Sequence, residues 1–302
     1  MRVSFLALLA GVLLPHSAMA QQTAPPAGNT PAPKGETPAA DPIIVTGRPL
    51  PSKDEIRALT RAITPANPAG DPLSRFHDPV CLGSIGFDRA TLLAIGDRFA
   101  ADAEQAGLQL AGGGCRPNVL VLFVDDVQSE IDQLVKRKWW IFGDRTPSEI
   151  RRIVHERGPV RAWSNSEIRS RDGDRINNDG TLRIASASRI VAPIRKDTLA
   201  AIVLIERSAA VGKTTHQLAD YVAMRALAGA RPGQTSDTDT ILALFAANAT
   251  QAPGELTAFD LGYLRGLYAG PANAFARSTQ AQIVRTIVKA KDAKAIGAAA
   301  KP

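Results

Sequence analysis

The residues best placed to do chemistry are His216, Gln217 and Asp220, within Thr214-Thr215-His216-Gln217-Leu218-Ala219-Asp220-Tyr221-Val222. Apolar residues recur there at helical spacing, and positions four apart on a helix share a face. His216 and Asp220 are therefore the candidate metal ligands, with Gln217 beside them. Two ligands at this spacing, with a proton acceptor between them, can hold zinc and activate a water molecule. Here the acceptor position carries an amide, which takes up no proton at any useful pH, so the general-base role has no occupant. His216, Gln217 and Asp220 remain the candidate catalytic set.

A strand must deliver that helix. Ala201-Ile202-Val203-Leu204-Ile205 is a short apolar, β-branched run directly upstream. Gly212-Lys213-Thr214 mimics the end of a phosphate-binding loop, but Arg207 stands where that motif needs its first glycine, so an ordinary helix start is expected. Two further strands are predicted over Asn118–Val124, whose run is continuously apolar, and Val160–Trp163. A third is predicted over Leu182–Val191, giving about four strands in all. The tract Ser164–Gly180, with Asp172, Asp174, Asn177, Asn178 and Asp179, lacks the alternate-ligand spacing of a calcium loop and reads as a hairpin loop. Helices are expected from Ser52, where Ser-x-x-Glu55 forms a capping box, to Thr64; from Asp88 to Gly107; over Val127–Lys138; and from Thr146 to about Arg157. Three more follow, over Ser236–Ala247, Thr257–Tyr268 and from about Ala274. Asp125-Asp126 is expected to cap the helix after it rather than bind a cation.

The first twenty residues have the form of a cleavable leader: Arg2, the apolar run Val3–Leu14 and the small-x-small site Ala18-Met19-Ala20. Residues 21–70 form a Pro/Ala-rich tether with a short helix, 71–289 the folded body, and 290–302 an Ala/Lys-rich tail expected to fray. No segment after the leader is long and uncharged enough to span a bilayer. Export places Cys81 and Cys115 where thiols oxidise, so a single disulfide is expected, in a periplasmic or secreted protein. The formal charge of +7 falls by one when Arg2 leaves, and no block of five like charges occurs, so a nucleic-acid partner is not expected. The densest basic spot is Lys136-Arg137-Lys138-Trp139-Trp140. It reads as a solvated helix end with the tryptophans opening the next packed segment, in preference to an anchor on an anionic surface. Arg207, Arg225 and Arg265 could take an anionic ligand or pair with acids.

Leu256-Thr257-Ala258-Phe259-Asp260-Leu261-Gly262-Tyr263-Leu264-Arg265-Gly266-Leu267-Tyr268 follows the pattern L-T-x-x-D-x-x-x-L-R-x-L-Y. With the strand-to-helix layout before it, this resembles secreted bacterial proteins of unknown function with a degenerate zincin-like (metzincin-like) domain. The resemblance matches His216 to the first histidine of H-E-x-x-H, Gln217 to its glutamate and Asp220 to its second histidine. Ala223 and Ala226 stand where metzincins carry glycine and a third histidine. A third ligand would have to come from Asp237, Asp239 or Glu255.

The expected fold is α+β: a small mixed sheet with a central zincin-like helix and a helical C-terminal part. The expected function is a non-catalytic, zincin-like binding domain of the cell envelope, with an envelope protein or cell-wall component as partner and no cofactor. The alternative is a metal-dependent hydrolase of peptide or peptidoglycan with a non-standard zinc site around His216 and Asp220.

Overall fold

The computed structural model describes residues 51–67, 70–184, 191–232, 239–246 and 252–299, the last seven of these by backbone only. The leader and most of the tether lie outside the described residues, as do Ser236, Asp237 and the greater part of the strand expected over Leu182–Val191.

In chain order the elements are α1 (Lys53–Ile63), β1 (Leu82–Ile85), α2 (Arg89–Gln105), β2 (Val119–Val124), α3 (Val127–Arg137), a 3-10 turn (Trp139–Phe142), α4 (Pro147–Val154), β3 (Val160–Ser170) and β4 (Ile194–Glu206). The one-turn α5 (Arg207–Ala210), α6 (Thr215–Leu227), a second 3-10 turn (Ile241–Phe245), α7 (Ala258–Tyr268) and α8 (Ala276–Ala299) follow. The architecture is α+β, with a four-stranded mixed sheet and a helical C-terminal part. The strand order is β1-β2-β4-β3; β2 runs parallel to β1 and β4, and β3 is antiparallel to β4.

The unbroken apolar run of β2 is explained by cover on both faces of the sheet. Val119, Val121 and Phe123, with Ala201, Val203 and Ile205 of β4, face the main core built by α1, α2, α6, α7 and α8. Leu120 and Leu122, with Ile202 and Leu204 of β4, face a smaller cluster built by Val127, Ile131 and Leu134 of α3, Phe142, and Ile150 and Ile153 of α4.

Among the described residues there are four strands, but they are not all the four expected. Residues 181–184 are irregular, and the remaining place is taken by β1, a strand too short and too glycine-interrupted to show a period. The disulfide Cys81–Cys115, with a Cα–Cα separation of 6.2 Å, closes just before β1 and ends near the start of β2. The Cys81 carbonyl accepts from the Asn118 and Val119 amides, so the crosslink joins two segments already paired through the backbone. Closing a loop of 34 residues stabilises the fold by about 3–4 kcal/mol on the chain-entropy account.

β3 runs on to Ser170, well past Trp163, because its polar half pairs with Ile194–Ala200 across a bulge at Asn165/Ser166. The first part of the expected hairpin loop, Ser164–Ser170, is thus ladder. The folded body also begins before Asp71: α1, capped by the Ser52/Glu55 box, buries Ile56, Leu59 and Ile63 in the main core. At the other end, the backbone stays helical to Ala299, as its alanine and lysine content favours.

The 256–268 segment is architectural here. Thr257 and Asp260 form the α7 capping box, and the fully buried Asp260 also accepts from Thr240 Oγ1 and the Ile241 amide at 2.8 Å. Burial pushes its carboxyl up to about 6. Gly262 and Gly266 let α7 approach α8 closely: a Cβ on Gly266 would lie 2.5 Å from the Ile283 Cα. Alanine gains about 1 kcal/mol of helix propensity there, yet it meets backbone that cannot rotate away. Gly266→Ala is therefore expected to lower stability by a net of about 1–2 kcal/mol, measured by urea denaturation.

Candidate functional site

Helix α6 starts at the surface and then plunges into the core. Thr214 caps it, accepting from the Gln217 amide, while Gln217 Oε1 accepts from the Thr214 amide, both at 3.1 Å. Gln217 Nε2 also donates to the Pro253 carbonyl at 2.9 Å. The residue in the general-base position is thus a reciprocal cap and a loop tie. His216, in the first turn, is exposed.

Asp220 is fully buried, and every residue from Leu218 to Leu227 is buried. Arg98 of α2 grips it through two hydrogen bonds, Nε to Oδ1 at 2.7 Å and Nη2 to Oδ2 at 3.0 Å. The Leu256 amide donates to Oδ2 as well. Asp102, one turn along α2 from Arg98, is also fully buried, 3.4 Å from the Arg98 guanidinium. Burial first, then the charge of Asp220, push the Asp102 carboxyl up to about 8, so at neutral pH it keeps its proton, and both its oxygens are buried without a hydrogen-bond partner among the described residues. Glu255, mostly exposed, adds an ion pair to Arg98 at 3.6 Å.

His216 and Asp220 therefore share a helix but not a site. The one stands in solvent, and the other has its oxygens committed to an arginine and an amide. Among the described residues, no three His, Cys, Asp or Glu side chains gather as a metal site requires. The donor set does not fit a catalytic zinc, which takes three protein ligands and keeps an open position.

A different set of residues meets at a cavity of about 570 Å³, a volume typical of small-molecule sites. It lies among the residues after α1, the loop before α4, α4 itself, the adjoining halves of β3 and β4, and the chain leaving α6. Arg145, Arg152, Lys196, Arg225 and Arg231 line it against only Glu149 and Glu156. Lys196 is paired with Asp71 at 3.1 Å, and the buried Arg225 donates to Glu156 at 2.9 Å and to the Tyr221 hydroxyl. Arg145 donates to the Ser164 carbonyl and keeps only a long 3.9 Å approach to Glu149. Its Nε and that of Arg225 are buried without a hydrogen-bond partner. Neither Arg152 nor Arg231 forms an ion pair among the described residues.

The guanidinium groups feel one another. Burial, and then Arg231 and Arg152 against the opposing pull of Glu149, lower the pKa of Arg145. Desolvation and then Arg152 do the same for Arg231. Cations held together in a partly desolvated cavity attract an anion, and guanidinium groups meet carboxylate or phosphate oxygens two at a time.

Of the arginines singled out in the sequence, only Arg225 lines this cavity. Arg207 pairs with Asp125 beyond the C-terminal ends of the two inner strands, β4 and β2, and Arg265 Nε donates to the Gln105 carbonyl at 2.9 Å. Asp126 caps α3, as its position before that helix implied. Arg145, Arg152 and Arg231 carry no sequence signal, being far apart and in no shared motif. Comparison with protein-family models, curated proteins and solved structures returns no match.

Proposed function

We propose that the protein is an exported, non-catalytic binding protein of the cell envelope whose arginine cavity takes a small anionic envelope component bearing carboxylate or phosphate groups. The observation that carries this reading is the gathering of Arg145, Arg152 and Arg231, with Arg225 and Lys196, around one cavity whose lining holds only two acids, Glu149 and Glu156. The leader-like N-terminus and the closed disulfide support the compartment. A zincin-like ancestry belongs to the same proposal, supported by the strand-to-helix layout of β4 and α6 and by the 256–268 segment. The hydrolase is the weaker reading, since it needs an oxygen from Asp220 that Arg98 and the Leu256 amide already occupy.

Thermal unfolding of the leader-free protein in pyrophosphate, citrate or chloride tests the binding role. An anion present at a hundred times its Kd is expected to add about 2.7 kcal/mol, raising Tm by about 5–10 °C over chloride. Arg152→Ala and Arg231→Ala, which remove no ion pair among the described residues, are expected to abolish that rise while leaving the anion-free Tm nearly unchanged. Equal shifts in both variants and the parent protein would remove the cavity from consideration.

A further inference from the structure

The stretch from Lys136 to Trp140 behaves differently from its expected packing. Helix α3 ends at Arg137, Lys138 leaves the helical region (φ −137°, ψ 42°), and the 3-10 turn Trp139–Phe142 follows. Only Phe142 enters the core, fully buried and stacked on Trp163 at 5.0 Å. Trp139 is 47% exposed and leans on Phe142 with ring centroids 6.4 Å apart, while Trp140 is 73% exposed. In a turn of three residues per repeat, positions 139 and 142 share a side, which leaves Trp140 pointing away. All five residues from Lys136 to Trp140 are exposed, and Lys136, Arg137 and Lys138 form no ion pair among the described residues.

Two neighbouring exposed indoles are an unusual surface feature, since aromatic rings of that size are ordinarily packed. Three unpaired cations directly before them narrow the choice of partner. An anionic bilayer satisfies both at once: ammonium and guanidinium groups reach lipid phosphates, and indoles settle at the boundary between headgroups and acyl chains. A protein surface would have to supply a matched apolar pocket and an acidic rim. We propose that Lys136–Trp140 is a docking site for an anionic phospholipid surface, holding the domain at a membrane from outside it. The site is independent of the arginine cavity and of the ligand proposed for it.

Co-sedimentation of the leader-free protein with equimolar phosphatidylglycerol–phosphatidylcholine vesicles, against phosphatidylcholine alone, tests this. The expected result is binding to the anionic vesicles, weakened by salt, with a blue shift in tryptophan emission; Trp163 is buried already, so the shift reports on Trp139 and Trp140. Charge reversal in Lys136→Glu/Arg137→Glu/Lys138→Glu is expected to weaken binding on the order of a hundredfold. Trp139→Ser/Trp140→Ser is expected to weaken it about tenfold. Circular dichroism checks that both variants fold, and Arg152→Ala should bind vesicles like the parent protein. No sedimentation, equal binding to both vesicle types, or binding indifferent to the tryptophans would overturn the proposal. So would equal affinity for dextran sulfate, which marks attraction to any polyanion, or a blue shift produced only by an added envelope protein.

Discussion

Asp220→Ala is expected to lower the unfolding free energy by about 3–5 kcal/mol, whereas His216→Ala changes it by less than about 0.5 kcal/mol. The two residues are one helical turn apart and would act as equals in a metal site, so the contrast tests which environment governs them. Removing the Asp220 carboxylate leaves Arg98 without its two-point partner and the Leu256 amide unsatisfied, both at a junction of α2, α6 and the approach to α7. A partnerless group in the core carries the full desolvation penalty. Removing His216 strips an exposed side chain from a first helical turn. Urea denaturation at constant m-value measures both. A double variant, Arg98→Met/Asp220→Leu, should recover much of the loss, because apolar side chains of similar volume tolerate the core better than a severed ion pair. If His216→Ala instead released one equivalent of zinc and ended a hydrolytic activity, the assignment of Asp220 to a structural junction would fail.

Stability is also expected to decline between about pH 4 and pH 8, through the neighbouring Asp102. Its folded pKa, about 8, lies above the ordinary carboxylate value of 3.8. In the unfolded chain Asp102 ionises near pH 4, while the native state holds its proton. The stabilisation linked to that proton is therefore fully present below about pH 4 and is lost progressively as pH rises through about 8, for a total on the order of a few kcal/mol. Asp102→Asn mimics the protonated acid, since its amide is uncharged at every pH and nearly the same size. The variant should match or fall slightly below the parent protein near pH 5, exceed it above pH 8, and show a flatter stability curve between. Parallel curves for the two proteins would place the titrating group elsewhere.

The cap residues are legible in the sequence because their partners lie within a few positions. Ser52 with Glu55, Thr146 with Glu149 and Thr257 with Asp260 form reciprocal hydrogen bonds as spaced. Gln217 belongs with them: Thr214-x-x-Gln217 is a capping box, and likeness to a metal-site glutamate obscures that simpler role. The apolar run of β2 and the pairing of the two cysteines are legible for similar reasons. β1 is not, because four residues carry no period, and neither is the length of β3, because backbone pairing, not side-chain polarity, decides where a ladder stops. The tryptophans defy their expected packing because hydrophobicity alone does not say which side of a turn faces the core.

Sequence alone settled the α+β class, the caps, the disulfide and the strand that feeds α6, all matters of short range or of composition. Tertiary structure decided the rest. Asp220 is a junction because Arg98, 122 positions away in the chain, lies against it. Likewise the cationic cavity exists because α4, the strands beside it and the chain leaving α6 bring together arginines that no spacing rule connects. A side chain's role follows from the charge and dielectric of its surroundings, and those are assembled only when distant segments meet.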